Sequence, residues 1–304
     1  MGTPEFAVAS LDALVEAGCN IVGVITAADK PAGRGMLLHQ SAVKKYAVEH
    51  NLPVLQPEKL KDPTFLAALK SLDADLQIVV AFRMLPEVVW NMPAMGSVNL
   101  HGSLLPQYRG AAPINWAVIN GEKQTGVTTF KLKQEIDTGD ILMQQSLPIG
   151  DNETVGEVHD RMKLAGAKLL VETVRGLASG SLLEISQDTL LDVSTPQTSI
   201  KHAPKIFTDT CHIDFTKTVD EVFNLVRGLS PYPTSFTFLA GRKLKIFKAE
   251  KIMQQPSSNS GEYETDGKAF LQFACADGSL SVLDVQLEGK KRMDVVSFLR
   301  GYRF

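Results

Sequence analysis

Cysteine is scarce: Cys19, Cys211 and Cys275 are the only three in 304 residues, far apart and odd in number. That excludes a disulfide framework and a cysteine zinc site, and points to a reducing compartment. The three thiols are expected to fill small gaps in cores. No apolar run is long enough to span a bilayer, so no membrane partner is expected. No signal peptide is expected either, since Gly2-Thr3-Pro4 already reads as a turn. His39, His50, His159, His202 and His212 lack metal-ligand spacing, and no metal is predicted. Phosphate-cradling loops are missing as well. Gly33-x-Gly35 lacks the third glycine of a dinucleotide fingerprint, and no P-loop occurs. Strong net charge is absent, at −3, which counts weakly against nucleic-acid binding. Its distribution matters more: Lys and Arg outnumber Asp and Glu after residue 200, and the reverse holds before it.

The hydrophobic fraction of 44% is that of a soluble globular chain, and the length predicts two domains. Up to Ala178, strand-like and helical segments alternate, which predicts an α/β fold with a doubly wound, Rossmann-like parallel sheet. The predicted helices include one after Thr3-Pro4, capped by Thr3, then Ser41–Asn51, Asp62–Leu72 and a long one over Thr154–Ala178. The last opens on Thr154 with Glu157 three residues on, a capping box. Asn20–Thr26, Leu76–Phe82 and Ser97–His101 read as strands, and Ala27–Gln40 as a loop. Residues 1–180 are assigned to a catalytic domain and 181–205, Ser/Thr/Gln-rich and without periodicity, to a linker. Residues 206–304 carry one helix, Val219–Gly228, and short strand-like runs, which predicts a small C-terminal β-barrel of OB type.

The most informative stretch runs from Asn99 to Asp137. Within Val98-Asn99-Leu100-His101, alternate residues share a face of a strand, so a carboxamide and an imidazole are presented side by side. An amide N–H suits a developing oxyanion, and an imidazole moves protons near neutral pH. Asp137, on a glycine-containing turn, is the candidate carboxylate to orient the ring or stabilise its charged form. No Ser or Cys nucleophile is needed if the attacking group belongs to the substrate. Singly, each residue has an ordinary structural reading, as a core histidine or a turn aspartate. Together they point to acyl transfer.

These residues stand in a pattern. It comprises Asn99-x-His101-x-Ser103-Leu104-Leu105-Pro106, Arg109-Gly110-x-x-Pro113, Gly121-Glu122-x-x-Thr125-Gly126-x-Thr128 and Asp137-x-Gly139-Asp140. The pattern resembles the signature of the 10-formyltetrahydrofolate-dependent formyltransferases. Three further segments match, so that the similarity covers nearly the whole length of the chain: Gly2-Thr3-Pro4-Glu5-Phe6, Lys30-Pro31-Ala32-Gly33-Arg34-Gly35 and Pro231-Tyr232-Pro233-Thr234. The Pro-Ala-Gly-Arg-Gly loop resembles the branch acting on methionyl-tRNA. One departure is visible: the family carries an apolar strand before Gly-Thr-Pro, and here Met1 alone precedes Gly2. The sheet is therefore expected to lack its usual first strand, a destabilising loss.

The resemblance implies formyl transfer from 10-formyltetrahydrofolate, a cosubstrate, to the α-amine of initiator methionyl-tRNA for translation initiation, by a cytoplasmic monomer without a metal. It implies that Asn99 donates to the oxyanion, that His101 is general base or proton carrier, and that Asp137 orients His101 or relays a proton. Ser103, Leu104, Leu105 and Pro106 are implied folate contacts, as are Phe82, Arg83 and Leu85. Arg34 and Lys205 are implied tRNA contacts; Lys290, Lys291, Arg292, Arg300 and Arg303 are candidates to follow phosphates. Formyl transfer to glycinamide ribonucleotide or an amino-sugar nucleotide, hydrolysis of the donor, and an inactive tRNA- or folate-binding module remain alternatives.

Overall fold

The computed structural model describes residues 1–32, 37–190 and 200–302. The chain divides into two units. One comprises Met1–Arg109, Gly126–Leu147 and Asp160–Lys201; the other comprises Gly110–Thr125, Pro148–His159 and the chain from His202 onward. The elements run α1 Glu5–Glu16, β1 Val24–Ile25, β2 Lys30–Ala32, β3 Leu37–His39, α2 Ala42–Glu49, β4 Val54–Leu55, α3 Pro63–Ser71, β5 Gln77–Val80, α4 Glu87–Trp90, β6 Ser97–His101, β7 Arg109–Gly110, α5 Pro113–Ile119, β8 Gln124–Lys131, β9 Ile141–Pro148 and α6 Val155–Ala178. They continue as β10 His202–Ala203, α7 Val219–Gly228, β11 Ser235–Leu239, β12 Arg242–Ile252, β13 Tyr263–Thr265, β14 Leu271–Ala274, β15 Ser279–Leu287, β16 Met293–Asp294 and α8 Val295–Gly301.

Local chemistry starts the helices. Asp62 caps α3 by accepting from Thr64 and Phe65 N–H, with Pro63 in the first turn, and the helix buries Phe65 and Leu69. Thr154 and Glu157 form the reciprocal cap of α6: the Thr154 N–H donates to Glu157 at 2.8 Å, and the Glu157 N–H to Thr154 at 3.4 Å. At α1 the structure departs from the sequence expectation. Pro4 stands at the N-cap and Thr3 supplies no cap, because Gly2 and Met1 are drawn into the sheet.

In the first unit β1 pairs with β4 in parallel, and β5 with β6 in parallel. β8 runs antiparallel to β6, and β9 follows it at the edge. Met1 and Gly2 lie between the two parallel pairs: the Val80 N–H donates to the Met1 carbonyl at 2.9 Å, and the Gly2 N–H to Ile25 at 3.1 Å. β1 is shorter than the predicted Asn20–Thr26: only Val24 and Ile25 of that run pair with β4. A cavity of about 130 Å³ lies beside them, lined by Ile21, Val22, Gly23, Leu72, Leu76 and Ile78 among others. Ile25, Leu60, Phe65, Leu69 and Val89 form the adjacent core. The predicted loop Ala27–Gln40 contains the β2–β3 hairpin, seen where Pro31 pairs with Leu38.

The second unit is built on a six-stranded antiparallel sheet in the order β11-β12-β15-β14-β13, with β16 on β15. Register shifts around Lys248 in β12 bend that strand and curl the sheet into a half-barrel. α7 lays Val219, Val222, Phe223 and Val226 on the core with Leu244, Ile246 and Phe273. Among the described residues no helix is long and apolar enough to cross a membrane.

Candidate active site

β5 and β6 place Val79 opposite Asn99 and Val80 opposite Leu100, so the segments after them leave the sheet side by side. In parallel sheets the crevice outside the carboxyl ends of the strands is where ligands bind. Val98 and Leu100 are buried, and Asn99 and His101 share the opposite face. Asn99 is half-buried, and no hydrogen bond among the described residues engages its carboxamide.

His101 is buried, with Nε2 2.9 Å from the Tyr108 carbonyl oxygen. A carbonyl only accepts, so Nε2 carries the proton and the neutral ring keeps its lone pair on Nδ1. Asp137 Oδ2 stands 3.7 Å from that Nδ1. Phe130 meets the ring edge-on. Asp137 sits in the β8–β9 connection with φ of 55°, a left-handed conformation that Asp tolerates better than most residues. The structure thus brings Asp137 to His101 across a sequence separation that no local pattern spans.

The loop after β6 spends its polar atoms internally. Ser103 Oγ donates to the Gln107 carbonyl at 2.6 Å. Thr128 Oγ1 donates to the Ser103 carbonyl at 2.6 Å and accepts from the Leu105 N–H at 3.2 Å and Gln144 Nε2 at 2.9 Å. Ser103, Leu105 and Pro106 are buried, and Leu104 is half-buried. After β5, Phe82 and Leu85 pack on the Phe65–Val89 core. Arg83 donates to the carbonyls of Pro57 and Glu58 and lies over the Phe82 ring.

In the other unit Lys205 is exposed, its ammonium 5.4 Å from the ring centroid of exposed Phe207. Arg292 is bound by both oxygens of Asp284 and lies over Phe247, so its charge is largely neutralised locally. Arg34 and Arg303 lie outside the described residues. No group of three or more His, Cys, Asp or Glu suited to a metal occurs among the described residues.

Three residues at this site carry no signal in the sequence: Tyr108, whose carbonyl meets His101, Gln144 and Gln187; Thr128 stands in the sequence pattern, but with no role of its own. Gln187 reaches the site from the segment expected to be a linker. The alternation in β8 places Thr128 opposite His101, the one local hint available.

Residues 1–174 match the formyl transferase family, and residues 205–303 match the formyl transferase C-terminal domain. The chain is 53% identical to a methionyl-tRNA formyltransferase of Bacteroides thetaiotaomicron, over 100% of this chain and 94% of that protein. It is 55% identical to a protein of the same name from Parabacteroides distasonis, with the same coverage. A sugar 3N-formyl transferase crystallised with dTDP and 5-N-formyl-THF shares the fold at TM-score 0.67 and 20% identity, over 95% of this chain and 97% of that one. A shared fold at that identity leaves the acceptor open, whereas identity above one half along the whole chain does not leave the family open. The chain belongs to the methionyl-tRNA formyltransferases.

Proposed function

We propose that the chain transfers the formyl group of 10-formyltetrahydrofolate to the α-amine of initiator methionyl-tRNA in the cytoplasm, with Asn99, His101 and Asp137 as its catalytic residues. The observation that carries this reading is the polarity of His101: proton held on Nε2 by the Tyr108 carbonyl and lone pair on Nδ1 beside Asp137, with Asn99 on the same face of β6.

An α-amine has a reference pKa of about 8, so a useful minority is neutral at pH 7 and attacks the formyl carbon. Asn99 donates its amide N–H to the oxygen that becomes negative, a contribution of about 10²–10³ in kcat. His101 takes the ammonium proton on Nδ1, and Asp137 stabilises the imidazolium. The same proton goes to folate N10 as the carbon–nitrogen bond breaks. The loops after β5 and β6, with Phe82, Arg83, Leu85 and Ser103–Pro106, suit the donor because they flank the carboxyl ends of two adjacent parallel strands. Arg34 and exposed Lys205 suit phosphate contacts. Residues 1–180 are read as the catalytic domain and 206–304 as the tRNA-binding one, with 181–205 between them.

Incubation with charged initiator tRNA and a formyl-labelled donor tests this. Label on methionyl-tRNA, lost in Asn99→Ala and His101→Ala, is expected. Released formate without labelled tRNA would instead indicate a hydrolase, and binding without product an inactive module.

A further inference from the structure

Arg109 and Gln187 are absorbed by neither the catalytic triad nor the folate loops, and the structure joins them behind the triad. Gln187 opens the short 3-10 turn Gln187–Leu190 and is only 2% exposed. Its amide nitrogen donates to the Asp137 carbonyl at 2.9 Å and the Gly139 carbonyl at 2.8 Å. Its amide oxygen accepts from Arg109 Nε at 3.1 Å and Nη2 at 2.6 Å. Both donors and both lone pairs of the carboxamide are therefore used. The orientation is fixed chemically: a guanidinium only donates and a carbonyl only accepts, so the amide cannot be turned over.

The turn that Gln187 holds needs an external clamp. Asp137 has φ of 55°, which costs a residue with a side chain and persists where neighbours over-determine it. On its far side the turn is closed against β8, where the Lys131 N–H donates to the Asp140 carbonyl at 2.9 Å. The Asp137 carboxylate lies 3.7 Å from His101 Nδ1, just beyond direct hydrogen-bond range. A shift of a few tenths of an ångström decides whether the imidazolium is hydrogen-bonded. Among the described residues Asp137 is the charged group facing the ring. The Tyr108 carbonyl and the Phe130 edge occupy the other sides.

We infer that Gln187, oriented by Arg109, is a positioning residue for proton transfer: it sets the Asp137–Gly139 turn so that the carboxylate meets His101 as the ring becomes charged. This rests on the catalytic reading of Asp137 given above.

The test is a double-mutant cycle in formyl transfer between Gln187→Met and Asp137→Asn, reading kcat and KM separately. Gln187→Met is expected to lower kcat about tenfold to hundredfold, as misplaced catalytic groups do, with both KM values within about twofold. The double variant is expected to be no slower than Asp137→Asn alone, because Gln187 acts only through that carboxylate. Gln187→Glu, which keeps an acceptor for Arg109 but turns a second acceptor on the carbonyls, is expected not to rescue. If Gln187→Met fails to fold, Arg109→Lys serves in the same cycle, keeping the charge but losing the paired donation. Multiplicative losses, or a rise in KM with kcat unchanged, would overturn the inference and leave Gln187 as scaffold. A wild-type rate in Asp137→Asn would overturn the catalytic reading instead, so the two failures are distinguishable.

Discussion

The Tyr108 carbonyl and the Asp137 carboxylate address opposite nitrogens of the His101 ring, at 2.9 Å from Nε2 and 3.7 Å from Nδ1. The main chain, and not the carboxylate, therefore sets the tautomer. The neutral ring is expected to carry its proton on Nε2, and ¹⁵N spectra of histidine-labelled protein read this directly. Asp137→Asn is expected to leave the tautomer unchanged and to lower kcat about 10²-fold. That is less than the loss of about 10⁴ typical where the aspartate itself fixes the tautomer. A tautomer change in that variant would give Asp137 the orienting role.

Gly139 admits no side chain. A Cβ there would stand 1.6 Å from the Lys131 carbonyl oxygen, which β8 holds in place. Gly139→Ala must move the turn that carries Asp137. It is expected to cost about 2–3 kcal/mol in urea unfolding and to lose most of kcat in the fraction that folds. Unchanged stability and turnover would mean that the turn relaxes freely.

Thr128 is fully buried, and its hydroxyl ties the backbone of Ser103 to that of Leu105. Thr128→Val keeps the shape and strands those partners, so a loss of about 1–3 kcal/mol is expected. Because the loop after β6 is loosened, KM for the formyl donor is expected to rise more than KM for tRNA. Steady-state kinetics with each substrate varied checks this.

What the sequence discloses here follows the range of the interactions. The Thr154–Glu157 cap works within three residues and was legible; the helix from Asp62 was expected, though its cap was not singled out. The Asn99–His101 pair was legible from the two-residue period of a strand. Gln187 was not, because its partners Asp137 and Arg109 lie 50 and 78 residues away. Its segment is held by polar contacts and the bridge between Ile141 and Ile185, so it shows no apolar period. β13 and β16, of three and two residues, are too short to print an alternation, and α8 too brief to print a helical face.

Lys205 offers a separable handle on tRNA. It is exposed and stacked over Phe207, with no carboxylate within ion-pair distance among the described residues. If it meets a phosphate, Lys205→Ala is expected to weaken tRNA binding and to reduce the slope of log Kd against log salt by about one. Arg292, already paired with Asp284, is expected to change that slope little when replaced. Filter binding across a salt series compares the two.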